Sequence, residues 1–470
     1  MSAPSDIFDV VVIGAGFSGL AAADKLVKAG MSVAVIEASD RVGGKVYDRK
    51  LPNGCIVETG AEFVGPYQDR VLELAKDLGV ETFKTYCKGK SIFHSKSKTI
   101  AYDPAGAGLP VDDEALMQLG TAGQTLDQMA QELDAHVPWE HSNAPIWDMG
   151  TMASWLDINV PHQEAREIMN LSLKSLLSSE PADVSLLQVL VYIRRAGNET
   201  TVGTFRRISG VAGGAQELRF VGGPQQIAVR LATRLGDRVK LSSPVRSIKR
   251  QDGIYQVSGD QFSIQGRHVI LALSPPLAAR INIQPPLPSR RDQLCQHMPM
   301  GSLGKAVAVY KTPFWRDHGL SGMALGLNGT EVQVTFDSSP EDGSCGILLG
   351  FLEANEMRHF DSKTEEEIQA AVVEDFVKFF GPKAREVESW VIQRWDNEEF
   401  ARGGHFAVCP PNVMTQYGVA ITEPVGQIYF AGTEASPYWT GYMDGAIRAG
   451  EIAAERISSG VDAIGIRAQL

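Results

Sequence analysis

Gly14, Gly16 and Gly19 stand in GxGxxG spacing between an apolar run, Asp9-Val10-Val11-Val12-Ile13, and a segment that carries Leu20, Ala21, Leu26 and Val27 at helical intervals. Such an arrangement suits a phosphate-bearing ligand. The first glycine allows a tight turn, the second lets backbone come close to a pyrophosphate, and the third lets helix pack against strand. The helix N-terminus, around Ser18, offers unpaired N–H groups and the positive end of its dipole to an anion. A second buried strand, Ser32 to Ile36, ends at Glu37 and is followed by Ala38. A carboxylate at that point accepts from both hydroxyls of a ribose. Strand, turn, helix, strand and terminal acid occur in the order a dinucleotide site requires.

The next stretch, Asp40-Arg41-Val42-Gly43-Gly44-Lys45, adds a glycine pair after the acid, as in proteins that lay FAD rather than NAD over this unit. Gly106-Ala107-Gly108 reads as having no strand before it and runs into Pro110, which argues against a separate nicotinamide site. The absence of CxxC argues against a disulfide reductase. Lys305 shares a strand face with Val307 and Val309, so its charge is either exposed with them at a sheet edge or buried for a purpose. No Ser-His-Asp set and no pair of carboxylates stands out as acid–base machinery.

The elements that position these groups are legible in outline. Gln68 to Leu78 reads as a helix stopped by Gly79. Residues 112–196 read as almost all helix, with Thr151 as an N-cap and Pro161 near a first turn. Pro224 to Leu235 is a further helix, and Val239 to Leu241, Val245 to Ile248, Tyr255 to Val257 and Val269 to Leu273 read as an antiparallel meander. Strands dominate Gly304 to Glu353, an amphipathic helix covers Glu365 to Phe380, and Gln427 to Phe430 is a strand leading to a helix over Gly441 to Ile457. The alternation implies an α/β chain, α+β overall, with two interleaved domains and several crossings between them.

With 470 residues and an apolar share of 44%, the chain can bury more than one core. It carries 44 Lys and Arg against 56 Asp and Glu, a formal charge of −12 with no basic run, so nucleic acid and anionic membrane are not expected partners. The five cysteines, Cys55, Cys87, Cys295, Cys345 and Cys409, are scattered. They indicate neither a disulfide framework nor a zinc site, no metal is expected, and a reducing, cytoplasmic setting fits best. Met1 to Asp6 shows no cleavable leader, and no apolar stretch reaches the ~18 residues of a membrane span. The terminal Ala468-Gln469-Leu470 is only loosely like a peroxisomal address, the weaker alternative.

Four further stretches make the sequence closely resemble the flavin monoamine oxidase family over nearly its whole length. They are Gly60-Ala61-Glu62-Phe63-Val64-Gly65-Pro66; Gly214-Ala215-Gln216-Glu217 with Arg219-Phe220-Val221-Gly222-Gly223; Met300-Gly301-Ser302-Leu303-Gly304-Lys305 with Pro313-Phe314-Trp315-Arg316; and Tyr429-Phe430-Ala431-Gly432-Thr433-Glu434 with Trp439 to Ala446. The resemblance implies an FAD-binding Rossmann-like domain (5–85, 213–290 and 398–460) interleaved with a substrate domain of mixed sheet and helices (86–212 and 291–397). It also implies FAD contacts from Gly14, Gly16, Ser18, Gly19, Glu37, Ala38, Arg41, Gly44, Lys45, Gly60, Ala61, Glu62, Val245, Gly432, Thr433, Glu434, Gly441, Tyr442 and Met443.

The implied reaction is FAD-dependent oxidative deamination of a primary amine to aldehyde, ammonia and hydrogen peroxide using O2. Lys305 matches the family lysine bound through water to flavin N5, and Trp395 the tryptophan beside the isoalloxazine, although its own context equally suits an interface residue. Gln216 falls in the segment that lines the substrate cavity. Where animal members attach FAD through cysteine, this chain reads Gly403-Gly404-His405-Phe406, so FAD is expected to be non-covalent, with a histidyl link through His405 or a purely structural His405 as lesser alternatives. One of the family's two cage tyrosines is replaced by Phe406 and the other is kept as Tyr442. No C-terminal membrane helix is expected, and self-association into a homo-oligomer is left open. The competing readings are a polyamine oxidase using Glu62 and Glu217, an L-amino-acid oxidase using Arg206 and Arg207, and a flavin-binding redox sensor without turnover.

Overall fold

The β-branched run at the N-terminus forms the strand Ile7–Ile13, the hub of an eight-stranded sheet in a computed structural model that describes residues 7–96, 98–106 and 108–460. The readings of Met1 to Asp6 and of Ala468-Gln469-Leu470 lie outside the described residues. Ile7–Ile13 runs parallel to Val33–Ile36 on one side and to Ser263–Leu271 on the other. Ile428–Phe430 joins the far half of Ser263–Leu271, also parallel. Both faces of these central strands are covered, which is why they read as unbroken apolar runs rather than as alternating ones. Only Val245–Gln251, Ile254–Gly259 and Ser263–Leu271 form the antiparallel set expected. Val239–Lys240 departs from that meander by pairing in parallel with Val33–Ile36, because the short helix before it returns the chain to the opposite edge.

The helix Phe17–Lys28 packs on the helix Met443–Ser458 on one face of the first sheet. Glycine makes the approach possible: a Cβ on Gly450 would fall on the Ser18 carbonyl, and one on Gly19 on the Gly14 carbonyl. The third glycine of the motif therefore works as a packing residue. A second sheet of seven strands collects Lys90–Ser95, Lys98–Tyr102, Leu303–Tyr310, Leu320–Gly326, Val334–Asp337, Gly346–Glu353 and Ser389–Arg394. A strand thus does precede Gly106, contrary to the sequence reading. It pairs antiparallel with Lys90–Ser95 at the sheet edge, so it opens no second βαβ unit.

Helices fill most of residues 112–196. Leu186–Arg194 is buried along nearly its whole length and is capped by Ser185, whose hydroxyl accepts from the Gln188 N–H at 3.1 Å. Thr151 caps its helix, and Pro161 lies near the first turn of the next, just before its cap residue His162. The expectation that no cysteines pair is corrected. Cys55 and Cys345, 290 residues apart with Cα atoms 6.8 Å from each other, are joined as a disulfide. Distance along the chain says nothing about this, since the loop before Ile56–Glu58 lies against the start of Gly346–Glu353 in one apolar cluster with Val57, Val309 and Val391.

The glycine contact between the two helices is testable. Gly450→Val is expected to cost about 1–3 kcal/mol, the usual range for overpacking a tight contact. Thermal denaturation followed by flavin fluorescence should show a melting temperature several degrees lower, with earlier flavin release.

Candidate active site

The phosphate turn is built by its own hydrogen bonds. Gly14, at φ +101, donates its N–H to the Ile36 carbonyl at 2.8 Å, a backbone conformation that favours glycine. Glu37 reaches back from the end of its strand and accepts from the Ala15 N–H at 2.6 Å and the Ser39 N–H at 2.8 Å. Each carboxylate oxygen keeps a second lone pair for a ribose hydroxyl. Gly43 N–H donates to the Ala15 carbonyl at 2.9 Å, which ties the second glycine pair to the first. Gly16 heads the helix with no side chain to cap it, so the first-turn N–H groups open toward the cavity.

That cavity has a volume of about 460 Å³ and runs from the phosphate turn to the second sheet. The catalytic, cofactor and substrate residues expected for a monoamine oxidase line it except Gly19, Phe406 and Glu434, whereas Glu217, Arg206 and Arg207 of the competing readings do not. Arg41 lies over the Tyr47 ring and donates to the Gly44 carbonyl at 2.8 Å. Lys45 is enclosed, its Nζ 3.3 Å from Ser274 Oγ, and burial pushes its ammonium down from the ordinary lysine range. Glu434 stands just behind the wall: Oε1 accepts from the Ala407 N–H at 2.9 Å, and buried Oε2 has no hydrogen-bond partner. A buried carboxylate oxygen left over beside a glycine cradle fits a bound polar group.

At the other end, strand pairing sets the chemistry. Lys305 sits in Leu303–Tyr310 opposite Phe351 and Gln393, and it is buried, so the exposed-edge reading falls. Its Nζ donates to Glu62 Oε2 at 2.9 Å and to the Glu58 carbonyl at 3.0 Å. Trp395 is likewise buried, not at an interface, and its indole N–H donates to the Thr59 carbonyl at 2.9 Å. Glu353 lines the cavity from the position opposite Leu303. Burial pushes its carboxyl up to about 8, against the pull of Ser175 and of Lys174. Gln216 donates to the Ile208 carbonyl at 3.1 Å, and its buried Oε1 has no partner, an acceptor free for a ligand N–H.

The aromatic arrangement differs from the two-ring cage. Tyr192, which sequence reasoning missed, stacks on Phe406 at 5.2 Å and 7° and on Tyr442 at 6.0 Å and 19°. Tyr192 and Tyr442 line the cavity while Phe406 packs behind Tyr192. Tyr192 gave no signal because it lies in an apolar helix where an aromatic reads as core. The Tyr192 hydroxyl is 3.4 Å from His405 Nε2, and Ser178 Oγ is 3.4 Å from His405 Nδ1. Burial, with Lys45 nearby, pushes the imidazole down to about 4, so it is neutral at physiological pH. Burial raises the Tyr442 phenol to about 12 and the Tyr192 phenol well above its ordinary value. Cys409 lies outside the cavity, its N–H donating to Gln188 Oε1 at 3.3 Å, and burial raises its thiol.

A glycine-built dinucleotide cradle joined to an aromatic-walled cavity is the architecture of a flavin oxidoreductase. The model of the flavin-containing amine oxidoreductase family matches residues 17–458. Flavin-containing amine oxidase A of horse is 37% identical over 455 residues, covering 96% of this chain and 85% of its own, and amine oxidase B of pig is 36% identical over 454 residues, covering 96% and 86%. Among solved structures, putrescine oxidase bound to putrescine superposes with a TM-score of 0.91 at 32% identity, covering 97% of this chain and all of its own. Cyclohexylamine oxidase of Brevibacterium oxydans gives 0.89 at 32%, covering 97% and 99%. The chain belongs to the flavin-containing amine oxidoreductase family, and it is a flavin-dependent amine oxidase. Among the described residues no helix is long and apolar enough to cross a membrane.

Glu353 supplies a pH test. Its folded-state pKa lies above the ordinary carboxylate value. Its stabilising contribution is therefore complete below about pH 4.5 and is lost as the pH rises toward 8. Glu353→Gln cannot titrate, so the variant should gain in melting temperature relative to the parent between pH 5 and pH 9. A difference flat across that range would contradict the buried-carboxyl assignment.

Proposed function

We propose that the enzyme oxidises a neutral primary amine to the imine, hydrolysed to aldehyde and ammonia, with FAD held non-covalently between the two sheets. The observation that carries this reading is the convergence on one cavity of the Gly14–Glu37 cradle, the buried Lys305 and Trp395, and the Tyr192–Tyr442 wall. The segments of the first sheet (5–85, 213–290 and 398–460) are assigned to cofactor binding, and those of the second with its helices (86–212 and 291–397) to substrate.

An amine C–H is not acidic, so the chemistry does not call for a side-chain base. FAD held by the Gly14–Glu37 cradle would supply the hydride acceptor and the route for electrons to O2, with hydrogen peroxide as the product. The chain supplies placement. Tyr442 and Tyr192, backed by Phe406, hold the amine edge-on, and Gln216 Oε1 accepts from its N–H. Phe63, Leu176, Leu303 and Phe351 complete an apolar lining that favours the uncharged amine over the ammonium. Lys305 has two of its three N–H bonds engaged by protein and keeps the third for a water at the cofactor. Similarity to enzymes named for putrescine and cyclohexylamine, both primary amines, supports the substrate class.

Both nitrogens of His405 already face hydroxyl partners and Cys409 lies outside the cavity, which supports non-covalent FAD. The residues named for the rival readings are held in other contacts or lie off the cavity, while the likeness to putrescine oxidase keeps a polyamine-type substrate as a second reading. Glu217 accepts from the Gly213 N–H at 2.6 Å away from the cavity, and Glu62 is paired with Lys305 and Arg219. Arg206 and Arg207 do not line the cavity. A sensor without turnover has no use for a buried lysine and an aromatic wall at the far end.

Acid precipitation should leave yellow flavin in the supernatant. Anaerobic addition of cyclohexylamine or putrescine should bleach the visible flavin band, with peroxide appearing when air is readmitted. Flavin retained in the pellet would overturn the non-covalent assignment. A flavin that no primary amine bleaches would overturn the substrate class.

A further inference from the structure

Lys305 does not stand alone in the wall. Glu62 Oε2 accepts from its Nζ at 2.9 Å, while the other oxygen, Oε1, accepts from Ser338 Oγ at 2.6 Å and lies 3.1 Å from Arg219 Nε. Arg219 in turn donates to the Ser339 carbonyl at 2.8 Å and pairs with Glu58. Glu62, Arg219 and Lys305 are each only 3% exposed, so none of these contacts is screened by water. The partners come from separate parts of the chain: the turn after Ile56–Glu58, the strand Leu218–Phe220, the residues after Val334–Asp337, and Leu303–Tyr310.

We propose that Glu62, clamped by Arg219 and Ser338, is a positioning residue that orients the Lys305 ammonium so that its one free N–H points into the cavity. The inference rests on the reading of Lys305 given above. An ammonium has three donors and rotates freely about its last bond. The Glu58 carbonyl alone fixes one donor and leaves rotation about it; a second fixed acceptor removes that freedom and defines where the third donor lies. The carboxylate can hold this place only if it stays charged and does not swing. Burial alone would raise its pKa, but Lys305 and Arg219 hold it below the ordinary glutamate value, and Ser338 with Arg219 fixes the far oxygen.

The test compares Glu62→Gln, Glu62→Asp, Lys305→Met and the double variant Glu62→Gln/Lys305→Met as full-length FAD enzymes. Its readouts are the visible circular dichroism of the oxidised flavin, melting temperature, and stopped-flow rates of flavin reduction and reoxidation. Glu62→Gln should perturb the flavin spectrum in the same sense as Lys305→Met and slow the lysine-dependent half-reaction about 10- to 100-fold with KM nearly unchanged. In the Lys305→Met background the same change should add less than about twofold, since residues acting as a unit are not additive. Glu62→Asp should recover part of the loss, and it replaces Glu62→Gln should the latter fail to fold. Independent, multiplying effects in the double variant, or a Glu62→Gln enzyme with parental rates and spectrum beside a slow Lys305→Met, would overturn the inference alone. If Lys305→Met itself leaves spectrum and rates unchanged, the assignment of Lys305 fails and the inference fails with it.

Discussion

A charge taken out of water must meet a countercharge within the protein, and the wall between the two sheets is built around that requirement. Glu58, Glu62, Arg219 and Lys305 are all buried there, and an unpaired member would cost several kcal/mol. Pairing them forces the turn after Ile56–Glu58, the strand Leu218–Phe220 and the strand Leu303–Tyr310 into one register. Burial pushes the Glu58 carboxyl up, and the guanidinium of Arg219 beside it pulls the other way. A wall locked in this way holds its lysine at one place, which catalysis by placement requires.

The cofactor end obeys a different constraint, closeness of backbone. Gly14 takes a conformation open to glycine, Gly19 removes a side chain where the helix meets the Gly14 turn, Gly450 removes one where the two helices touch, and Glu37 holds the turn it also equips. These contacts are short-range and lie within one supersecondary unit plus one returning helix. The same returning segment carries Gly441, Tyr442 and Met443 into the cavity, so the packing that seats the cofactor also delivers one aromatic wall.

The aromatic end is assembled from two distant parts of the chain. Phe406 carries no polar atom, and the hydroxyl beside it comes from a different element. Tyr192, on a buried helix, brings a hydroxyl to His405 and a ring to Tyr442. Aromatic faces pack in this way because stacking is governed by ring area and offset more than by the substituent.

The amino-acid sequence by itself determined the βαβ unit that opens the first sheet, the glycine cradle with its acid, the flavin, and the family, because each depends on residues near one another in the chain or on motifs with few physical alternatives. It placed Lys305, Trp395 and Tyr442 by resemblance, while leaving open whether Lys305 was buried. Tertiary structure alone decided that Tyr192 and not Phe406 faces the cavity, that Cys55 meets Cys345, that Val239–Lys240 crosses to the far edge of its sheet, and that Glu62 is bound to Lys305 and Arg219. Each of these joins residues dozens to hundreds of positions apart. Hydrophobic periodicity reports which face of an element is buried, but not against what it is buried, and the partners of a buried charge are chosen by that packing.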